Sequence, residues 1–180
     1  MLIFDIETDG LLDEVTKVHC IVTQCTKTGV QFKFFGDTLK EGVALLRESP
    51  EIGGHNIIGY DLPVLKKLYD FDYKGEAFDT LVASRLIYPN LKEKDILKRT
   101  VDNRSIGSHS LKAWGQRLNY NKGAYGEQED AWSEFTPEML EYCAQDVALN
   151  VKLYELIQRK RYPEEPMQLE HEMARLLLQQ

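Results

Sequence analysis

The amino terminus reads Met1-Leu2-Ile3-Phe4-Asp5-Ile6-Glu7, an apolar run interrupted by acids at alternate positions and closed by Gly10. A period of two marks a β-strand, and residues i and i+2 of a strand point to the same face. Asp5 and Glu7 therefore project side by side. Ile3 and Ile6 imply a buried, central strand, where ionised carboxylates are costly to desolvate unless something cationic compensates them. Hard oxygen donors of this kind favour Mg²⁺ or Mn²⁺ over zinc, because neither a cysteine nor a paired histidine accompanies them in the sequence.

Two further β-rich segments follow, Val18 to Gln24 and Val30 to Phe35, separated by the turn-like Thr26-Lys27-Thr28-Gly29, so the chain opens as an antiparallel meander. The period then changes. Leu39 to Glu48 is helical, Ile52 to Asn56 is a short strand running into a Gly-containing loop, and Leu62 to Leu68 is a helix with Pro63 in its first turn. From Phe78 a segment through Thr80 to Ile87 has helical spacing, with Asp79 or Thr80 as N-cap. The polar stretch Asn90 to Ser108 reads as a loop. Its Lys92, Lys94, Lys98, Arg99 and Arg104 form either a strand-contacting basic patch or a solvated surface. Ser108 or Ser110 caps a helix through Leu111, Trp114 and Leu118, and Asn119 to Glu129 is a loop. Thr136-Pro137-Glu138 opens the longest helix, which continues to about Arg161. Pro163 and Pro166 break the chain, after which Leu169, Met173, Leu176 and Leu177 recur at helical spacing.

A length of 180 residues suits one domain. No apolar run approaches the ~18 residues of a membrane span, and the acids at the start exclude a signal peptide. Cys20, Cys25 and Cys143 form no CxxC pair and read as reduced thiols of a cytoplasmic protein. Four dispersed histidines suggest no zinc site. A net charge of −7 opposes passive binding to nucleic acid. Carboxylates gathered around divalent ions would remove that objection, since the ions supply the charge that meets phosphate.

Two more acids stand out. Tyr142 and Asp146 are one helical turn apart on one face, a spacing that lets a phenol and a metal-binding carboxylate converge on one water. His55-Asn56-Ile57-Ile58-Gly59-Tyr60-Asp61 places Asp61 at a helix amino terminus, with a plain N-cap as the alternative role.

Taken in order, Asp5-Ile6-Glu7-Thr8, the segment from His55-Asn56 to Tyr60-Asp61, and Tyr142-Cys143-Ala144-Gln145-Asp146 resemble the three exonuclease motifs of a known family. That family is the 3′–5′ proofreading exonuclease domain of family A DNA polymerases, the YxxxD branch of the DEDD exonucleases. The spacing from Asn56 to Asp61, with Asp79 to Ile87 and Gly107 to Gly115, is similar to the replicative polymerases of T-seven-like phages.

The resemblance implies an α/β, ribonuclease H-like (DnaQ-like) three-layer fold whose mixed sheet has its first three strands antiparallel. It implies that Asp5, Glu7, Asp61 and Asp146 hold two divalent cations, Mg²⁺ or Mn²⁺, and that Tyr142 helps orient the attacking water. Thr8 would offer its backbone N–H to the terminal 3′ hydroxyl and Leu11 would wedge between the last two bases, with Asn56 and Tyr60 also at the substrate. An ordinary core leucine is the alternative for Leu11. The implied activity removes nucleoside 5′-monophosphates from single-stranded or frayed DNA 3′ ends during replication. The exonuclease domain spans 1–162. Residues 163–180 are a linker and the start of a helix similar to the beginning of a polymerase module, which would act in cis or in trans. For a phage protein the compartment is the cytoplasm of the bacterial host. An RNA 3′-end exonuclease of the same superfamily and a catalytically silent nucleic-acid-binding scaffold remain as alternatives.

Overall fold

In the computed structural model, which describes residues 1–120 and 132–178, the opening segment is β1 (Leu2–Thr8). It pairs antiparallel with β2 (Val18–Cys25), which pairs antiparallel with β3 (Gln31–Phe35). On its other side β1 pairs in parallel with β4 (Glu51–Gly54), and β4 with β5 (Glu76–Asp79). The sheet order is β3-β2-β1-β4-β5, with β1 central and the first three strands antiparallel, as the sequence implied.

Alternation along β1 sorts its side chains between two helical layers. Phe4 and Ile6 pack with Leu46 of α1 (Leu39–Glu48) and with Val64 and Leu65 of α2 (Asp61–Tyr69). Ile3 faces the opposite way, packing with Cys20 and Val22 of β2 against residues from the long helix (Pro137–Gln158), among them Leu140, Cys143 and Val147. Between these elements lie α3 (Thr80–Ile87), α4 (Leu91–Lys98) and α5 (Leu111–Arg117), which makes the long helix α6. A third cluster of Ala83, Tyr88, Leu91, Trp114, Leu153 and Ile157 joins them to the second half of α6. Thr136 starts α6 as expected, its Oγ1 accepting the Met139 N–H at 3.1 Å.

Several expectations need correction. The stretch Asn90 to Ser108 is not all loop, because Leu91–Lys98 forms α4. What holds it is distant in sequence: buried Asp95 takes a bidentate contact from Arg117, Nε–Oδ1 2.9 Å and Nη2–Oδ2 2.7 Å. The five basic residues of this stretch are exposed. The fourth strand ends at Gly54, short of Asn56. A Cβ on Gly54 would sit 2.7 Å from the Phe4 carbonyl, and Asn56 turns the chain with φ +64°. Strand β5 was not expected at all. Pro166 does not break the chain but lies in the first turn of α7 (Glu164–Leu177), where its missing N–H has no helical partner to lose. Helix α7 docks through buried His171, whose Nε2 accepts the Asp79 backbone N–H at 2.8 Å. Residues 121–129 of the loop expected over Asn119 to Glu129 lie outside the described residues. Among the described residues no helix is long and apolar enough to cross a membrane.

Candidate active site

The face of β1 turned toward α6 carries Asp5 and Glu7, and Glu7 stands opposite Cys20 in the β1–β2 register. Donor atoms of Asp5, Glu7 and Cys143 all lie within 4.8 Å of one another, a spacing that one cation can bridge. The Cys143 sulfur is 3.6 Å from Asp5 Oδ2 and 3.6 Å from the Asp5 carbonyl oxygen. The expectation that no cysteine accompanies the acids is therefore wrong. A residue 138 positions away reaches them because α6 packs across β1. The sequence did hold a signal, since Cys143 and Asp146 are three apart on one helix and share a face.

Asp61 arrives from the other side. Beyond Leu2 and Ile3 no β4 residue pairs with β1, and the Ile6 N–H, past the end of that ladder, is accepted by Asp61 Oδ1 at 3.3 Å. A plain N-cap role is excluded, because Asp61 is the first residue of α2 and the cap position, Tyr60, makes no side-chain cap. Asp146 is buried on α6, with Tyr142 half-buried one turn earlier.

The electrostatics tie these groups into one cluster. Burial pushes the Glu7 carboxyl well above its ordinary value, and the charges of Asp5, Cys20, Asp146 and Asp61 push it further. Asp61 is raised by burial and then by Asp5, against the opposing hydrogen bond from Ile6. Burial raises the Tyr142 phenol far above its usual range, with Asp146, Glu7 and Asp5 adding to it. Buried like charges raise one another in this way, and a bound divalent cation reverses each shift. The donor set fits such an ion.

Thr8 follows Glu7 and Tyr60 precedes Asp61 in the chain. Thr8 Oγ1, the Tyr60 hydroxyl and the Gly10 carbonyl form a hydrogen-bonded trio, with the carbonyl 3.0 Å from Thr8 and 2.6 Å from Tyr60. Leu11 is 76% exposed, which removes the core-leucine alternative. Asn56 is exposed and donates its backbone N–H to Asp79 Oδ1 at 2.9 Å. Asp79, expected at most as a helix cap, does more. Its carboxylate also accepts the N–H groups of Ile58 at 3.0 Å and Leu81 at 2.9 Å, so it fixes the loop that delivers Asp61 as well as the start of α3. His109 bonds Ser84 Oγ at 3.0 Å.

No protein-family model matches the chain. Two curated relatives do. The chain is 36% identical over 191 residues to the DNA-directed DNA polymerase of Enterobacteria phage T3 and, over the same length, 36% identical to that of Escherichia phage T7. The chain is homologous to part of a phage DNA polymerase. The match covers 90% of this chain and 27% of each relative, so the chain spans about a quarter of their length. Among solved structures, Brucella melitensis NrnC aligns with a TM-score of 0.62 at 19% identity, over 96% of this chain and 81% of that one. A zinc-bound form of Escherichia coli ExoI in complex with single-stranded DNA aligns at 0.56 and 15% identity, over 91% of this chain and 41% of that one. These likenesses show the fold, which is the ribonuclease H-like α/β fold that the motifs implied.

Proposed function

We propose that this chain is a metal-dependent 3′–5′ exonuclease that shortens single-stranded or frayed DNA 3′ ends, releasing nucleoside 5′-monophosphates, as the proofreading part of a longer phage polymerase. What supports this reading most is the pairing of Asp5 and Glu7 on one face of β1, where Asp61 and Asp146 act on Glu7, and Asp146, Glu7 and Asp5 act on Tyr142. The site stands in a fold shared with nucleases, and the sequence is related to two DNA polymerases.

In this reading the four carboxylates hold two divalent cations, Mg²⁺ or Mn²⁺. Such a pair, when bound, activates water on one side of the phosphodiester and stabilises the departing 3′ oxygen on the other. Tyr142 keeps its proton at neutral pH and so orients water by hydrogen bonding; it does not act as a base. Leu11 offers an exposed apolar side chain on which the terminal bases can be wedged apart. The side-chain hydroxyl of Thr8 is engaged with Tyr60 and Gly10, so in this reading the Thr8 backbone N–H is the group that meets the 3′ hydroxyl. Exposed Asn56 and the Tyr60 ring complete the approach. Because the chain carries a net charge of −7, affinity rests on metal–phosphate contacts and stacking, and binding is weak without a polymerase module. Residues from 163 onward lead into that module, and the protein works where its host replicates DNA, in the cytoplasm.

A 5′-labelled single-stranded DNA oligonucleotide incubated with Mg²⁺ or Mn²⁺ tests this. A ladder shortening from the 3′ end and abolished by EDTA is expected, with a matched RNA cut more slowly. No cleavage by the folded, metal-supplied chain, or faster cutting of the RNA, overturns it.

A further inference from the structure

Cys143 is fully buried, and its sulfur lies among the donors of Asp5 and Glu7. Its thiol donates to Asp5 Oδ2 and to the Asp5 carbonyl, each at 3.6 Å, and Cys20 is the β2 residue opposite Glu7. The separation of Cys143 Sγ from Asp5 Oδ2, 3.6 Å, has a chemical meaning. Zinc-type ions bind thiolate sulfur at ~2.3 Å and carboxylate oxygen at ~2.0–2.2 Å, and in a tetrahedron those bonds put sulfur and oxygen about 3.6 Å apart. Hard ions such as Mg²⁺ take oxygen donors and leave sulfur unused. The same pocket thus offers different donor sets to two kinds of ion.

We propose that Asp5, Glu7 and Cys143 together bind a thiophilic divalent cation of the Zn²⁺ or Cd²⁺ class in the place where a hard cation is needed, so that such an ion blocks the nuclease. On binding, the Cys143 S–H bond breaks, a sulfur–metal bond forms and the proton passes to solvent, with no change in oxidation state. The blocking clause rests on the exonuclease reading; the binding clause does not.

The test is a Cd²⁺ titration of the full chain without Mg²⁺ or Mn²⁺, followed by the ultraviolet sulfur-to-cadmium charge-transfer band. It is run in a Cys25→Ser background, because hydrogen bonds from Thr28 bring the Cys25 thiol down to about 7 and would let it compete. One equivalent of Cd²⁺ is expected to saturate the band, Cys143→Ser to abolish it, and excess Mn²⁺ to erase it in the Cys25→Ser chain, since both ions need Asp5 and Glu7. The Mn²⁺ competition decides the matter even if Cys143→Ser fails to fold. Absence of a band, its survival in Cys143→Ser, or indifference to Mn²⁺ overturns the site. In a second arm, Zn²⁺ is expected to halve Mn²⁺-supported DNA hydrolysis at a concentration at least tenfold lower in the Cys25→Ser chain than in Cys25→Ser/Cys143→Ser, each relative to its own uninhibited rate. Equal sensitivity overturns the blocking clause. A chain that cleaves nothing in Mn²⁺ overturns the exonuclease reading, and the cadmium titration still decides the site.

Discussion

Replacing Glu7 with glutamine removes charge from a cluster whose carboxyls raise one another, and the metal-free protein should become more stable. Donor oxygens of Asp5 and Glu7 lie within 4.8 Å. Two full charges at that separation repel by about 3.5 kcal/mol at an effective dielectric constant of ~20. Keeping a proton on one carboxyl relieves part of this, so the measurable gain is about 1–3 kcal/mol. The sign follows from linkage. The folded-state Glu7 carboxyl is raised, so the folded chain holds a proton that the unfolded chain has released. The wild type therefore loses stability as pH rises through the raised value, whereas the glutamine variant does not. Urea unfolding in EDTA should give Glu7→Gln the higher midpoint at pH 8, with the advantage shrinking toward acid as the wild-type carboxyl is protonated in both states. Mn²⁺ should invert the order, because a ligand at a hundredfold its Kd stabilises the wild type by about 2.7 kcal/mol. A variant less stable than wild type at pH 8 in EDTA, or a gain that ignores both pH and Mn²⁺, would refute the reasoning.

Arg117→Ala should cost about 3–5 kcal/mol in urea unfolding, because it leaves Asp95 buried without its bidentate partner. Arg117 holds the Asp95 carboxyl below its usual range, so the stability from this pair is present above the unfolded value and is lost as pH falls through the folded one. The same measurement repeated in acid should show a smaller difference. Gly54→Ala should destabilise by about 1–3 kcal/mol, since the added Cβ would lie 2.2 Å from Ile57 Cγ2 and 2.7 Å from the Phe4 carbonyl. Its nuclease rate should also fall, because the loop leading to Asp61 must shift; calorimetric melting and the ladder assay check the two effects separately. Tyr142→Phe should slow the nuclease by about 10–100-fold with little change in stability, reflecting the loss of a group that orients water. An unchanged rate would remove Tyr142 from the site.

Much of the candidate site was legible because its signals are local. The alternation in β1 placed Asp5 and Glu7 on one face, and the four-residue spacing in α6 placed Tyr142 above Asp146. What escaped depends on contacts between distant residues. Helix α4, LKEKDILK, is mostly charged and shows its buried face only because Arg117 reaches back to Asp95. Strand β5 has four residues, two of them acidic, and is held as an edge by parallel pairing with β4. Asp79 looked like a helix cap because its links to Asn56 and Ile58 cross more than twenty residues. Cys143 was read only as a reduced thiol: its spacing from Asp146 puts the two on one face of α6, but that α6 crosses β1 beside Asp5 is set by packing between distant residues.

The most direct test follows a 3′-terminal label on single-stranded DNA in Mn²⁺, for the wild type and for Asp5→Ala/Glu7→Ala. A labelled nucleoside 5′-monophosphate should be the first product of the wild type. The double variant should release it more than about 100-fold more slowly, because removing two ligands exceeds the 10–100-fold typical of losing a supporting partner. Label released in longer fragments, or a double-variant rate within a few-fold of wild type, would contradict a single carboxylate-centred site acting at DNA 3′ ends.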